Sequence, residues 1–173
     1  MNWTNITWGS VADWVSGLGS MSAGIIALYL SRESQRIRLR GYCGLRVLVG
    51  GGGPKQDLVS ISVTNIGTRA TIVNNISIRA GLFKTRLAII TMPKDAFSVG
   101  IPYSLADGHE AHWGIPLDQN KSWLRDLCKD FILNEHDVRT LRFRIHTSHG
   151  DFFTLKPEEP LLNAIIKILG ETR

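Results

Sequence analysis

The sequence has 173 residues, with 20 Lys and Arg against 15 Asp and Glu, and 43% of its residues are hydrophobic. This length suits one compact domain with an appended segment rather than two domains. The composition excludes a disordered chain, which is poor in hydrophobic residues, and a collagen-like chain, which needs glycine at every third position. Charge is unevenly placed, because the first 31 residues contain one charged side chain, Asp13, and all 20 basic residues follow them.

The first predicted element is a helix over residues 11 to 31. Ser10 and Asp13 have the S-x-x-D spacing of a capping box, and Trp14 to Ser31 is a run of 18 residues without a charge. A helix of 21 residues is roughly 31 Å long, close to the hydrocarbon thickness of a bilayer. We therefore expect a transmembrane helix preceded by a short outer N-terminus, residues 1 to 10. A buried core helix of a soluble protein is the alternative.

Aromatic and basic residues flank this helix and predict its orientation. Tryptophan rings favour the membrane interface, and three of the five tryptophans lie in the first 14 residues. The arginines follow the apolar run, whereas a cleaved signal peptide needs positive charge before it. By the positive-inside rule we expect a single-pass inner-membrane protein with its N-terminus outside and its C-terminal domain in the cytoplasm. The predicted membrane-anchor residues are Trp3, Trp8, Trp14, Arg32 and Arg36.

Small residues recur at four-residue intervals along the same helix. They leave a smooth face that a second helix can approach closely, which predicts a homo-oligomer formed through the transmembrane segment. The alternative is that small residues are simply common in membrane helices. The predicted helix-association residues are Ser16, Gly19, Ser20, Ala23, Gly24 and Ala27.

The remainder of the chain is predicted to be mainly β. Residues 32 to 46 form a basic juxtamembrane segment that runs into the first strand, and residues 37 to 157 form the β domain. At residues 59 to 64 β-branched apolar residues alternate with Ser and Thr, which predicts a half-buried strand. Further strands are predicted at residues 37 to 40, 45 to 49, 71 to 78, 82 to 91, 113 to 115, 141 to 145 and 152 to 156.

Loops and helices interrupt these strands. Residues 50 to 53 are four glycines, predicted as a flexible hairpin loop because they lack the spacing of a phosphate-binding loop. Residues 103 to 109 carry Gly and Asp turn chemistry, and residues 121 to 133 have the apolar spacing of an inserted helix. Residues 158 to 173 form a C-terminal amphipathic helix, which docks on the β domain or on lipid.

Short antiparallel strands with one helical connection favour a β-sandwich, with a small barrel as the competitor. The stretch VSISVTNIGTRATIVNNISI, residues 59 to 78, and the stretch LRFRIHTSHGDFFTL, residues 141 to 155, resemble strands and a closing hairpin of prokaryotic immunoglobulin-like modules. The chain thus resembles small, membrane-anchored bacterial and phage proteins with such a domain. The resemblance implies a transmembrane helix followed by an immunoglobulin-like antiparallel sandwich.

No residue pattern predicts a catalytic, cofactor or metal site. The histidine pairs His109 with His112 and His146 with His149 each fix at most two of the three or four ligands that zinc needs, and we expect exposed loop histidines. The sequence has no nucleophile motif of the G-x-S-x-G type. Cys43 and Cys128 are expected to be buried thiols. We therefore predict that the protein is not an enzyme, with a membrane-tethered metal-binding or hydrolytic enzyme as the alternative.

The basic pI of about 9.5 raises nucleic acid as a further alternative. Outward-facing strand positions near a membrane already account for the arginines. No aromatic residue alternates with them in the pattern of single-strand binders, so nucleic acid is disfavoured. The predicted basic face comprises Arg38, Arg40, Arg142 and Arg144.

A transmembrane helix joined to a β domain without a catalytic motif predicts a protein that acts by binding other molecules. We expect the lipid bilayer as one partner and another membrane or cytoplasmic protein as the second, without a cofactor. The resemblance to phage proteins implies superinfection exclusion or another form of phage defence.

Overall fold

The structure is a computed structural model that describes residues 10 to 49, 55 to 82, 84 to 92, 94 and 97 to 171. The chain divides into two compact units, one ending at Arg36 and the other beginning at Ile37. Trp3, Trp8 and the predicted glycine loop lie outside the described residues.

The first unit contains one long helix, α1 (Val11–Ser34). Its start is the predicted capping box, because the Ser10 hydroxyl accepts a hydrogen bond from the Asp13 backbone N–H and the Asp13 carboxylate accepts one from the Ser10 N–H. The helix continues three residues beyond the predicted end at residue 31, and its 24 residues span roughly 36 Å. None of its residues is buried.

The second unit is mainly β, and its described residues form eight strands in two antiparallel sheets. The first sheet has the order β1-β2-β6, and the second has the order β4-β3-β7-β8 with β5 also paired to β3. The strands are β1 (Leu39–Leu48), β2 (Gln56–Asn65), β3 (Thr71–Ala80), β4 (Arg86–Ile90), β5 (Tyr103–Leu105), β6 (Glu110–Pro116), β7 (Arg142–Thr147) and β8 (Phe152–Leu155).

β1, β4 and β5 differ from the predicted elements for local reasons. β1 runs through two predicted strands because Gly41 lets the backbone of β2 approach closely: an added Cβ there would overlap the Ser62 carbonyl oxygen. β4 begins at Arg86 rather than residue 82, since Gly81 has a φ of 92° and turns the chain out of β3. β5 occupies residues that were predicted as a turn.

The helices of this unit are α2 (Ser122–Asp126), which continues as a π-helical turn (Leu127–Phe131), then α3 (Glu135–Thr140) and α4 (Glu159–Glu171). The predicted inserted helix thus exists, although part of it is π-helical. α3 was not predicted.

α4 packs on the β domain. Leu161 and Ile165 on its apolar face are fully buried in the core that the two sheets share. The sequence left open whether this helix docks on the β domain or on lipid. The apolar face of α4 packs on the β domain. The inner strand faces fill the same core with Val59, Ile61, Val63, Ile76, Ile78, Trp113, Phe143 and Ile145.

β2 is buried on both of its faces, which differs from the predicted half-buried strand. Ser60 and Ser62 are each 1% exposed although they point away from the apolar core side chains. Their hydroxyls hydrogen-bond to His112 and Glu110 of β6, so polar partners cover this face instead of water.

Candidate functional site

α1 is long and apolar enough to cross a membrane, judged by its length and composition. Trp14, Arg32 and Arg36 of the predicted anchor residues lie exposed on or just after it, and Arg36 forms an ion pair with Glu33 at 3.4 Å. The predicted association residues Ser16, Gly19, Ser20, Ala23, Gly24 and Ala27 are all exposed on α1. A Cβ added at Gly19 would meet nothing within 4 Å.

A polar cluster of Ser60, Ser62, Glu110 and His112 lies on the outer face of the first sheet. His112 Nδ1 donates a hydrogen bond to the Phe97 carbonyl oxygen at 2.8 Å, because a carbonyl can only accept. In the neutral ring, Nε2 then accepts a hydrogen bond from the Ser60 hydroxyl at 2.8 Å. The Ser62 hydroxyl donates to the Glu110 carboxylate.

The serine and histidine of this cluster have the spacing of a nucleophile and its base. A cleft of about 590 Å³ borders His112, with Lys94, Ser98 and Tyr103 among its other lining residues. Ser60 does not line this cleft and is 1% exposed, so its hydroxyl is not open to a substrate there. The cluster instead joins β2 to β6 and to the backbone at Phe97.

The segment after Phe97 is held to β6 by further hydrogen bonds. The Ser98 hydroxyl donates to the Gly114 carbonyl at 3.0 Å and accepts from the Gly114 N–H at 3.1 Å. The Val99 N–H donates to the His112 carbonyl at 3.0 Å. These contacts give the polar cluster a structural role at the edge of the first sheet.

The four histidines considered as ligands lie in different settings. His109 and His149 are exposed beside strands, whereas His112 is half-buried in β6 and His146 is half-buried in β7 of the other sheet. The expectation of exposed loop histidines therefore fits only the first two. Across the described part of the chain, no group of three or more His, Cys, Asp or Glu side chains is arranged to hold a metal ion.

The four predicted basic-face residues are divided between two sheets. Arg40 lies in β1 of the first sheet, opposite Thr64, and Arg38 immediately precedes that strand. Arg142 and Arg144 lie in β7 of the second sheet. The structure therefore brings the two residues of each pair together but does not unite the pairs within one sheet.

A different set of arginines meets on the outer face of the second sheet. Arg79 of β3 is opposite Arg142 of β7 on one side and Leu87 of β4 on the other. Side chains alternate between sheet faces, and the intervening residues are in the core, so these positions point outward. We define the arginine face as Ser77, Arg79, Leu87, Ile89, Arg142, Arg144, His146 and Phe152.

An aromatic residue does accompany these arginines, which corrects the sequence-based expectation. The guanidinium carbon of Arg144 lies 4.3 Å from the ring centroid of Phe152, which belongs to the adjacent strand β8. Beside it, His146 Nε2 and the Ser77 hydroxyl are hydrogen-bonded at 2.8 Å. Phe152 reaches Arg144 because β8 pairs with β7. The alternation of residues along a single strand does not predict this contact.

Among the residues that the structure describes, the arginines of the arginine face form no ion pair with a carboxylate. Arg79 bonds to the Thr85 hydroxyl at 3.3 Å, and Arg142 bonds to the carbonyls of Arg139 and Leu141. Within the described residues, Nε of Arg144 has no hydrogen-bond partner. The same holds for Oδ1 of Asn75, which is paired with His146 across the strands.

Both cysteines are free and buried, as predicted. Burial raises the pKa of the Cys43 thiol, with the Glu158 carboxylate adding to the effect, and burial likewise raises the pKa of Cys128. A raised pKa keeps a thiol protonated and therefore unreactive. The geometry gives neither cysteine a catalytic role.

Comparison of the chain with known protein families gives no match, and comparison with curated protein sequences gives none either. The features of the described residues that bear on function are α1 and the arginine face.

Proposed function

We propose that this is a single-pass inner-membrane protein in which α1 spans the bilayer. The observation that carries the proposal is that all 24 residues of this apolar helix lack burial. A core helix of a soluble protein would bury one face, because exposed apolar surface costs about 25 cal/mol per Å² in water. A lipid environment supplies that burial on every side of the helix.

The proposed orientation places the N-terminus outside and the β unit in the cytoplasm. Its support is the positive-inside rule, because Arg32, Arg36, Arg38 and Arg40 follow the apolar run and the described residues of α1 before Arg32 include no basic one. Arginines near an anionic leaflet add roughly 1 kcal/mol of attraction each.

Cysteine accessibility tests both statements in one experiment. Asn5→Cys and Ser104→Cys are made separately in a Cys43→Ala, Cys128→Ala background, since Ser104 is exposed in β5. We expect carbonate-resistant membrane retention, labelling of Asn5→Cys by an impermeant maleimide in intact cells, and labelling of Ser104→Cys only after lysis. Recovery in the soluble fraction would contradict the span, and reversed labelling would contradict the orientation.

The β unit is proposed to act by binding another membrane or cytoplasmic protein rather than by catalysis. The burial of Ser60 supports this, because this serine, whose hydroxyl bonds to His112, does not line the cleft that borders His112. We further propose that the two sheets form an immunoglobulin-like sandwich, on the support of their antiparallel order and shared core. Methyl NOEs between the inner faces of the two sheets test this topology.

The proposed biological role is superinfection exclusion or another form of phage defence, and its support is the resemblance to phage proteins. Efficiency of plating on cells that express the chain is the test. We expect fewer plaques with the intact chain, and the same number as in empty cells when α1 is replaced by an unrelated hydrophilic segment. Unchanged plating of a panel of phages on cells with the intact chain would contradict the role.

A further inference from the structure

We propose that the arginine face binds the anionic headgroups of a lipid bilayer. The inference rests on the proposed function in one respect, because α1 would hold the β unit close to a membrane. It goes beyond the helix in assigning a second lipid contact to a particular surface of the second sheet.

The arginine face carries positive charge that no carboxylate of the described residues neutralises. Arg46, Arg86, Arg125 and Arg139 each form an ion pair with a carboxylate of the body. The three arginines of the arginine face have no such partner within the described residues. Adjacent guanidinium groups without counter-charges repel one another and attract an anionic surface.

The guanidinium groups of the arginine face can also donate hydrogen bonds to phosphate. A guanidinium group has five N–H donors and binds phosphate through two of them at once. Arg79 uses one donor on Thr85, and Arg142 uses one nitrogen on two backbone carbonyls, so most of the guanidinium donors of these two residues are unused within the described residues. Phosphate oxygens of lipid headgroups supply the acceptors that this face lacks.

Apolar side chains on the same face select lipid over nucleic acid. Ile89 is 72% exposed, and Leu87 beside it is exposed as well. Such side chains bury themselves in the interface between headgroups and acyl chains when basic residues hold a protein on a membrane. Unpaired bases instead need free aromatic rings, and the ring of Phe152 is already covered by Arg144.

The short connection between α1 and β1 also favours lipid as the ligand of the arginine face. Four residues, 35 to 38, separate the end of α1 from the start of β1, and an extended chain of that length reaches roughly 14 Å. If α1 spans a bilayer, the β unit therefore meets lipid at a high effective concentration. Such a tether lowers the intrinsic affinity that the arginine face needs in order to bind lipid.

Vesicle binding by the full chain tests the proposal. The chain is held in phosphatidylcholine nanodiscs and mixed with vesicles of phosphatidylcholine alone or with about one-third phosphatidylglycerol. We expect binding to the anionic vesicles only, weakened by salt. Substituting Arg79, Arg142 and Arg144 together by Gln is expected to reduce the partition coefficient roughly a hundredfold.

The matched control removes the same charge elsewhere. Arg125→Gln, Lys129→Gln and Arg139→Gln alter exposed residues of α2, the π-helical turn and α3, and this triple variant is expected to bind as the wild type does. Thermal melting curves test whether each triple variant is folded. Should the first one fail to fold, Arg142→Gln alone is compared with Arg125→Gln alone, with a loss of several-fold expected only for the former.

Three outcomes would overturn the proposal: equal losses in both triple variants, equal binding to neutral vesicles, or no binding to anionic vesicles. Binding of a fluorescent single-stranded oligonucleotide that needs the same three arginines, without vesicle binding, would assign the face to nucleic acid. Failure of α1 to span lipid has a separate signature, because the chain would then leave neutral nanodiscs at high salt.

Discussion

Arg46 donates hydrogen bonds to both carboxylate oxygens of Glu158, 2.7 Å from Nη1 to Oε2 and 2.8 Å from Nη2 to Oε1. The pair joins β1 to the residues that precede α4, and the Glu158 backbone N–H donates to the Cys43 carbonyl at 2.8 Å. This ion pair lowers the pKa of Glu158 and raises that of Arg46.

Glu158→Gln is expected to lower the free energy of unfolding by about 0.5–1 kcal/mol at pH 7, because the pair is partly exposed to water. The folded-state pKa of Glu158 is depressed, so its contribution is present above the ordinary value of 4.5 and is lost as the pH falls below it. Urea unfolding between neutral and acidic pH should show the difference from wild type vanish on the acidic side. Asp130→Asn, at an exposed carboxylate, is the control.

Gly44→Ala is expected to destabilise the fold through the same ion pair. An added Cβ would overlap the Glu158 carboxylate, which can swing away only by leaving Arg46. The loss in unfolding free energy should therefore match that of Glu158→Gln and should not add to it in the double variant. Gly41→Ala meets a backbone oxygen that cannot move aside, so we expect a larger loss of about 1–3 kcal/mol. Additive effects at Gly44 and Glu158 would contradict this account.

Trp113 is fully buried, and its indole Nε1 has no hydrogen-bond partner within the described residues. Trp113→Ala is expected to cost about 3–5 kcal/mol through the cavity it leaves. Trp113→Phe should cost far less, below about 1.5 kcal/mol, because it also removes a buried donor without an acceptor. Denaturant unfolding of the two variants checks the difference, and similar losses would mean that a partner satisfies the indole N–H.

His112→Ala is expected to loosen the segment after Phe97. The substitution removes the bond to the Phe97 carbonyl and leaves the Ser60 hydroxyl buried without its partner, a cost of about 1–3 kcal/mol. Hydrogen exchange at the Val99 amide should accelerate, since that amide bonds to the backbone of residue 112. His136→Ala, at an exposed position of α3, is the control, and protection equal to wild type in both variants would contradict a structural role for the cluster.

Gly19→Leu with Ala23→Leu tests association through α1. Bulky side chains on the small-residue face should prevent close helix approach and reduce cross-linked dimer in membranes by roughly tenfold, about 1.4 kcal/mol. Ser22→Leu places a leucine off that face, because successive helix residues are about 100° apart, and it should leave the dimer unchanged. A monomer in the unmodified chain would show that the small residues do not mediate association.

The capping box at Ser10 and Asp13 is a local sequence signal, and it correctly predicts the start of α1. α3 was not predicted, although Asn134 caps it with a side chain that accepts a hydrogen bond from the Asp137 N–H. The arginine face could not be predicted, because Arg79, Arg142 and Phe152 meet through strand pairing. The register between paired strands depends on turns and burial across the whole sheet, so the alternation of residues within one strand does not predict it.

α4 has a consequence for the order of events during synthesis. Its buried leucines and isoleucines belong to the core of the β unit, so that core stays incomplete until the ribosome has added residues 159 to 171. α1 ends about 125 residues earlier, an interval of roughly 6 to 25 s of translation. If α1 spans a bilayer as proposed, it can reach the insertion machinery while the β strands are still unfolded, and the nascent strands are then held near lipid before their hydrophobic faces close.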